Sequence, residues 1–450
     1  MEKSKLINLL ILFHCGLFFW ISITILLPTL PAYLQDIGAT VKQIGFIMGC
    51  FAIGLLSSRV FLGKLADEGL QRFLNNSKLN SSVAKSLIKL GQIFIGQLVH
   101  YPSRKIVILI GAFVAATAPI GYLYLNTLPQ LIFVRAFHGI SIAAFTTGYS
   151  ALVVDLSPPK QKGELIGYMS LAIPLGMAIG PIIGGFLQEY NNYSLLFLVC
   201  VSCGLMALIF ASCIRELDSI QQKVNNFHDS SGEQVPQKQE ISRDFGELIF
   251  NRSFAVPAIV LSLIGCLFGA LITFLPLYVR DIGLDFNVGL FYTAAAIASF
   301  VMRLVTGKAS DKYGRGMFIS GSIVCYVVSM ILLSTAQSNE AVMISAVIEG
   351  MGAGVLVPIT LALVSDRCSA NERGKAFAVC VSGFDVGVAL GGPLMGSVFF
   401  DFGYRFLFAS TAVMCTIALF VFLFCSNKNI ANSWRFSLGT VADLHALKEK

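Results

Sequence analysis

Residues 275–315 read LPLYVRDIGLDFNVGLFYTAAAIASFVMRLVTGKASDKYGR. The stretch leaves one apolar run, turns at Asp281-Ile282-Gly283, and runs apolar again over 287–309. That second run matches the roughly 20 apolar residues a helix needs to cross a bilayer. It breaks into a charged turn from Lys308 to Arg315. Residues 30–67, LPAYLQDIGATVKQIGFIMGCFAIGLLSSRVFLGKLAD, repeat the design. Asp36-Ile37-Gly38 stands where Asp281-Ile282-Gly283 does, and Arg59, Gly63, Lys64 and Asp67 have the spacing of Arg303, Gly307, Lys308 and Asp311. Further on, Asp155, Gly163 and Pro181 answer in order to Asp366, Gly374 and Pro393. An ordered series of this kind points to a duplicated unit.

Working outward, apolar runs predict spans at 7–33, 44–66, 105–125, 128–154, 163–187, 193–214, 254–279, 287–309, 317–336, 341–365, 374–400 and 404–425. The expected fold class is therefore an all-α polytopic membrane protein, with twelve transmembrane helices in two pseudo-symmetric six-helix bundles. The expected domains are an N-terminal bundle at 1–214 with an insertion at 68–100, a polar linker at 215–250, a C-terminal bundle at 251–427 and a tail at 428–450. Within the insertion, Leu87, Leu90, Phe94 and Leu98 recur at helical spacing beside Lys85 and Lys89, the pattern of a surface amphipathic helix.

Composition excludes the main alternatives. Of 450 residues, 56% are hydrophobic and 13% charged, too little charge to cover a soluble protein of this size. The net charge of +7 comes without a basic, aromatic-interleaved stripe, which argues against a nucleic-acid partner. Basic residues instead gather in alternate loops, among them Lys64, Arg104, Lys105, Lys160, Lys308 and Arg315, while the opposite loops carry Lys42, Arg280 and Arg405. The positive-inside rule then puts both termini in the cytoplasm. Eleven cysteines lie mostly in apolar runs, and Cys200-x-x-Cys203 has no second ligand pair, so buried apolar packing is their reading. No phosphate-cradling loop, nucleophile elbow or zinc-binding helix is present, so neither an enzyme nor an ATP-driven pump is expected, and no cofactor or metal.

Ionisable residues inside spans are the functional leads. Arg135 in the fourth span costs at least ~2.5 kcal/mol at that depth unless paired or hydrated. His138 stands one turn from it. Glu349 and Asp385 lie inside the tenth and eleventh spans. A desolvated carboxyl can titrate in the working range and bind either a proton or a cationic solute. The competing readings are a snorkelling arginine near the interface for Arg135, a packed and hydrogen-bonded ring for His138, and for the two carboxylates a structural partner to a buried arginine or a helix-capping role near Gly383.

The chain resembles the major facilitator superfamily over nearly its whole length. The loop after the second helix of each half carries one family motif: Gly307, Asp311, Gly314 and Arg315 in the second half, and Gly63 and Asp67 in the first. There the basic end, Arg104-Lys105, is displaced by the insertion at 68–100. The resemblance implies a cytoplasmic gate at these residues, the glycines allowing close helix approach. Leu131, Arg135, Gly139, Ala143 and Ala144 match a second motif, in which the arginine is assigned to proton coupling; His138 departs from the pattern. Gly167, Gly176, Gly180, Pro181, Gly184 and Gly185 match the signature of proton-driven antiporters, echoed by Gly387, Gly391, Gly392, Pro393 and Gly396. The resemblance implies alternating access and proton-coupled export of a small organic or drug-like solute. A monomer in the cytoplasmic (inner) membrane is expected, its partners being the solute, the proton and the lipid bilayer. A symporter or facilitator for a sugar, organic anion or other nutrient remains open, as does a solute sensor that does not transport.

Overall fold

A computed structural model describes residues 3–68, 104–157, 162–190, 192–214, 245–369 and 372–447. All regular structure among these residues is helical, and twelve helices are long and apolar enough to cross a membrane. They are α1 (Lys3–Thr24, resuming as Leu26–Asp36), α2 (Val41–Glu68), α3 (Arg104–Tyr124), α4 (Leu128–Leu156), α5 (Lys162–Ser170, resuming as Ala172–Glu189) and α6 (Tyr193–Cys213). The second set is α7 (Arg252–Asp281), α8 (Val288–Tyr313), α9 (Arg315–Ser334), α10 (Asn339–Asp366), α11 (Arg373–Leu394) and α12 (Tyr404–Cys425). A further helix, α13 (Ile430–Ser437), follows them. The expected surface helix at 68–100 lies outside the described residues beyond Glu68, as does most of the 215–250 linker, where a short helix, Phe245–Phe250, is described.

Prolines set the interruptions. A proline ring excludes the helical bond to the carbonyl four residues back. The breaks after Thr24 and Ser170 fall four residues before Pro28 and Pro174. Pro393 is followed by a π segment, Met395–Phe399, which widens the end of α11.

The repeated Asp-Ile-Gly has a structural cause. Gly38 (φ 90°) and Gly283 (φ 68°) take the left-handed conformation that glycine favours. In each half the chain then folds back on the helix end: Ala39 N–H donates to Leu34 O at 3.0 Å, and Leu284 N–H to Val279 O at 3.3 Å. This is a glycine C-cap used twice.

The described residues fall into two compact units by packing. The first draws on Met1–Thr24, Ile53–Gly176 and Tyr193–Gln239; the second on Ile25–Ala52, Met177–Asn192 and Glu240–Lys450. The first has a core of Leu12, Cys15, Phe19, Phe145, Tyr149 and Ala207, with the Phe19 and Phe145 rings stacked 3.8 Å apart. In the second, α7 and α11 meet on reciprocal glycines. A Cβ at Gly265 or Gly269 would stand 2.3 Å from the carbonyl of Phe384 or Val388. One at Gly387 or Gly391 would stand 2.0 or 2.2 Å from that of Ser262 or Cys266. Small residues let the backbones close to contact where no hydrophobic drive exists.

Candidate functional site

In the first unit, Arg135 is 8% exposed, His138 is fully buried and Tyr122 of α3 is 1% exposed. Tyr122 Oη lies 3.3 Å from His138 Nδ1, and Arg135 lies close enough to act electrostatically on the same phenol. The arginine thus points into the helix bundle, and the histidine one turn away shares its tyrosine. Sequence reasoning does not single out Tyr122, because a lone tyrosine in an apolar run carries no pattern.

In the second unit, Glu349 is 3% exposed, and its Oε1 has no hydrogen-bond partner among the described residues. Glycines put it there. A Cβ at Gly350 would meet the Ala295 carbonyl at 2.2 Å, and one at Gly354 the Ser299 carbonyl at 2.3 Å, so α10 beds directly on α8. On the α9 side Gly352 faces Ser322 and the Tyr326 ring. Tyr292 of α8 and Tyr326 of α9 both lie close enough to interact electrostatically with the Glu349 carboxylate, and Tyr326 also interacts with Arg303. Asp385 is half-buried on α11, next to Phe384, whose ring packs 5.9 Å from that of Phe268.

The charged turns organise one end of each unit. Gly314 (φ 92°) lets α8 stop and α9 start at one residue, which aims Arg315 back at both helices. Arg315 pairs with Asp311 at 2.9 Å and also with Asp366 at the end of α10. In the first half Arg104 pairs with Asp155 at 3.6 Å, and Lys105 Nζ donates to the Ser212 and Ile214 carbonyls at 2.6 and 2.7 Å, capping α6. The insertion therefore leaves the motif's basic end in place. The Asp67 side chain lies outside the described residues. Among the described residues a Cβ at Gly63 or Gly307 would meet nothing within 4 Å, so neither glycine is needed there for close approach to a described helix.

The antiporter-like glycines divide. Gly167 has open space at its Cβ position. Gly176 faces Trp20, and a Cβ at Gly184 would stand 2.3 Å from Ile25 O. A Cβ at Gly185 would clash with the Asn287 side chain at 1.9 Å, and one at Gly289 with Pro181 O at 2.0 Å. The echo in α11 does the same against α2: a Cβ at Gly45 would stand 2.5 Å from the Gly392 carbonyl. Gly180 is buried within this run.

Sequence reasoning missed a set of polar bridges within the second unit. Arg280 Nη1 donates to Asp36 Oδ1 at 2.9 Å, Lys42 Nζ stands 3.2 Å from Asp401 Oδ1, and Asn287 Nδ2 donates to Glu189 Oε1 at 2.8 Å. Each joins a residue of the first sequence repeat to one of the second. The available signal was that Asp36 and Arg280 both flank the repeated Asp-Ile-Gly turn.

The family model of the Major Facilitator Superfamily matches residues 87–338 and 285–440. Multidrug resistance protein 1 of Bacillus subtilis (strain 168) is 25% identical over 429 residues, 93% of this chain and 96% of its own length. Quinolone resistance protein NorA of Staphylococcus aureus (strain MSSA476) is 23% identical over 386 residues, 85% and 87% of the two chains. Among solved structures, the nucleoside transporter NupG superposes with TM-score 0.66 at 14% identity, over 93% of this chain and 98% of its own. A bacterial homolog of the human lysosomal transporter Spinster, inward-facing and unoccupied, gives TM-score 0.66 at 13% identity, over 94% and 96%. Helix number, paired charged turns and glycine-bedded spans agree with these matches, and the chain belongs to the major facilitator superfamily of membrane transporters.

Proposed function

We propose that the chain exports a small, amphipathic organic molecule in exchange for protons. The observation that carries this reading is Glu349, a carboxylate closed into the α8–α10 packing with one oxygen lacking a hydrogen-bond partner among the described residues. A carboxylate in this position can carry a proton while closed into the packing and can yield it when its surroundings open to water. Tyr292 and Tyr326 sit beside it as hydroxyls able to steady the charged form. Arg135, with His138 and Tyr122, forms a second polar group in the first unit. We assign it to coupling, its fixed charge biasing the state that holds the proton.

The multidrug and quinolone resistance proteins among the relatives support a drug-like substrate. The cycle is alternating access. One state binds protons at the outer side, the other binds substrate from the cytoplasm, and Glu349 or Asp385 exchanges one for the other. We assign both termini to the cytoplasmic side of the inner membrane, a reading that the asymmetry of basic loop residues supports. We assign the ion pairs Arg104–Asp155 and Arg315–Asp366 to the cytoplasmic gate, and the ion pairs Asp36–Arg280 and Lys42–Asp401 with the hydrogen bond from Asn287 to Glu189 to an outer one.

The test is a proteoliposome assay with an imposed pH gradient, an internal pH dye, and ethidium and a quinolone as probes. Dissipation of the gradient by either probe, lost in Glu349→Gln, supports the proposal. Probe-driven proton movement in the same direction as the solute means symport. Equilibration of tracer with no proton movement means a facilitator. Either of these outcomes overturns antiport.

A further inference from the structure

The chain beyond α12 does not trail away but returns across the ends of four helices of the second unit. Its anchor is a buried ion pair. Arg367, at the end of α10, has no exposed side-chain surface, and Arg367 Nε donates to Asp443 Oδ2 at 2.7 Å. The same guanidinium donates to Ser253 O at the start of α7 and to Ser426 O at the end of α12, both at 2.8 Å. A charge this deeply buried is tolerated only with such full pairing. Around the anchor, Phe436 is 3% exposed and packs on Phe422, the Phe436 carbonyl lies where a Cβ of Gly316 would be, and Leu447 N–H donates to Asp366 O at 2.9 Å. Asp366 is also the partner of Arg315. A cavity of about 610 Å³ separates the returning segment from the Asp311–Arg315–Asp366 turn, so the segment roofs that turn.

Among the described residues the first repeat shows no such anchor. The position that follows Asp155, as Arg367 follows Asp366, is Leu156, buried and apolar. The buried arginine is thus a feature of one half only, and its carboxylate partner comes from the returning segment.

His445 sits at the joint. Its Nδ1 lies 3.0 Å from Ser253 Oγ, its backbone N–H donates to Asp443 Oδ1 at 3.0 Å, and its Nε2 has no partner among the described residues. The charged groups around it are Arg367 of α10, Arg252 of α7, Lys428 after α12, and Asp443 on its own segment. Three are cationic, and the single carboxylate is already engaged by Arg367. A proton on His445 adds a fourth cation to this group.

We propose that residues 430–447 form a pH-sensitive strap, which holds the ends of α7, α9, α10 and α12 together while His445 is neutral and lets go when His445 is protonated. Burial first, and then Arg367, hold this imidazole below the ordinary histidine range. A depressed value means that docking favours the neutral ring. Its contribution is complete above the ordinary value of about 6.5 and is lost as pH falls below it toward the docked value. The strap thus reports acidity at these helix ends, and its release uncovers the Arg315 turn.

The experiment is hydrogen exchange by mass spectrometry on the full chain in nanodiscs, at about pH 7.5 and about pH 5.5, a window that brackets free histidine. Rates are corrected for intrinsic exchange, and α7 and α10 serve as folding controls. Protection of 430–447 is expected to fall on the order of tenfold at the lower pH in the parent chain and to stay unchanged in His445→Gln. Asp443→Asn, which strips Arg367 of its carboxylate, is expected to lose protection at both values. Equal protection at both pH values in the parent, or the same acid loss in His445→Gln, overturns the proposal, and neither result requires Asp443→Asn to fold.

Discussion

Arg104 and Asp155 close, at 3.6 Å in the first repeat, the same ion pair that Arg315 and Asp366 close in the second. The partners are 51 residues apart in each half, 155 − 104 and 366 − 315. The insertion at 68–100, 33 residues that the second half lacks, precedes Arg104 and leaves the pair intact. Both pairs are partly exposed, so each contributes at most about 1 kcal/mol to stability. Asp155→Asn and Asp366→Asn are therefore expected to unfold near the parent temperature while changing transport by up to about fivefold through the balance of states. The exchange Arg104→Asp with Asp155→Arg is expected to recover part of the loss in a flux assay; no recovery removes the pair from the gate.

Asp36 and Arg280 offer a direct check of the outer gate. In a background cleared of native cysteines, Asp36→Cys with Arg280→Cys is expected to accept a short thiol crosslink. Transport then stops and returns on reduction. Undiminished transport in fully crosslinked protein shows that this contact need not break.

Glu349→Gln is expected to abolish probe-driven proton flux while leaving the melting temperature within a few degrees of the parent. Its Oε1 accepts no hydrogen bond among the described residues, so the isosteric amide forfeits none there. A collapse in melting temperature identifies a structural carboxylate instead. Glu349→Ala tests packing separately, since it opens a void between α8 and α10.

Gly184 and Gly167 belong to one motif and are expected to behave oppositely. A methyl on Gly184 runs into Ile25 O and forces two backbones apart, at a cost of about 1–3 kcal/mol. A methyl on Gly167 meets nothing and removes unfolded-chain entropy, so Gly167→Ala is neutral or slightly stabilising. Thermal unfolding in detergent distinguishes them; equal losses mean that Gly167 packs tightly in another state.

Spans and the internal repeat are legible in the sequence because each rests on a local regularity. Apolar length gives the helix, and Asp-Ile-Gly gives the cap that ends α1 and α7. Arg135 is legible as buried because an arginine at that depth admits few alternatives. What sequence does not give is pairing across long separations. Asp36 finds Arg280 across 244 residues and Lys42 finds Asp401 across 359, with no periodicity between them. Tyr122 becomes visible only when α3 places it against His138. The glycines are legible as a motif but not individually, since spacing does not distinguish Gly184 against a carbonyl from Gly167 facing open space. Arg367 reads in the sequence as one more topogenic charge, although its buried partner, Asp443, lies 76 residues away.

The glycine-to-carbonyl contacts have a bearing on how such a protein diversifies. At Gly45, Gly184, Gly289 and Gly392 the nearest touching surface is a main-chain carbonyl. A seam of that kind has no rotamers to readjust, so any larger residue is refused whatever its chemistry. Side-chain-lined walls elsewhere stay free to accumulate substitutions without disturbing the seam. Lineages carrying it can therefore change what they recognise while inheriting an unaltered hinge, and natural variants should be sparse along these four positions and dense around the cavity walls.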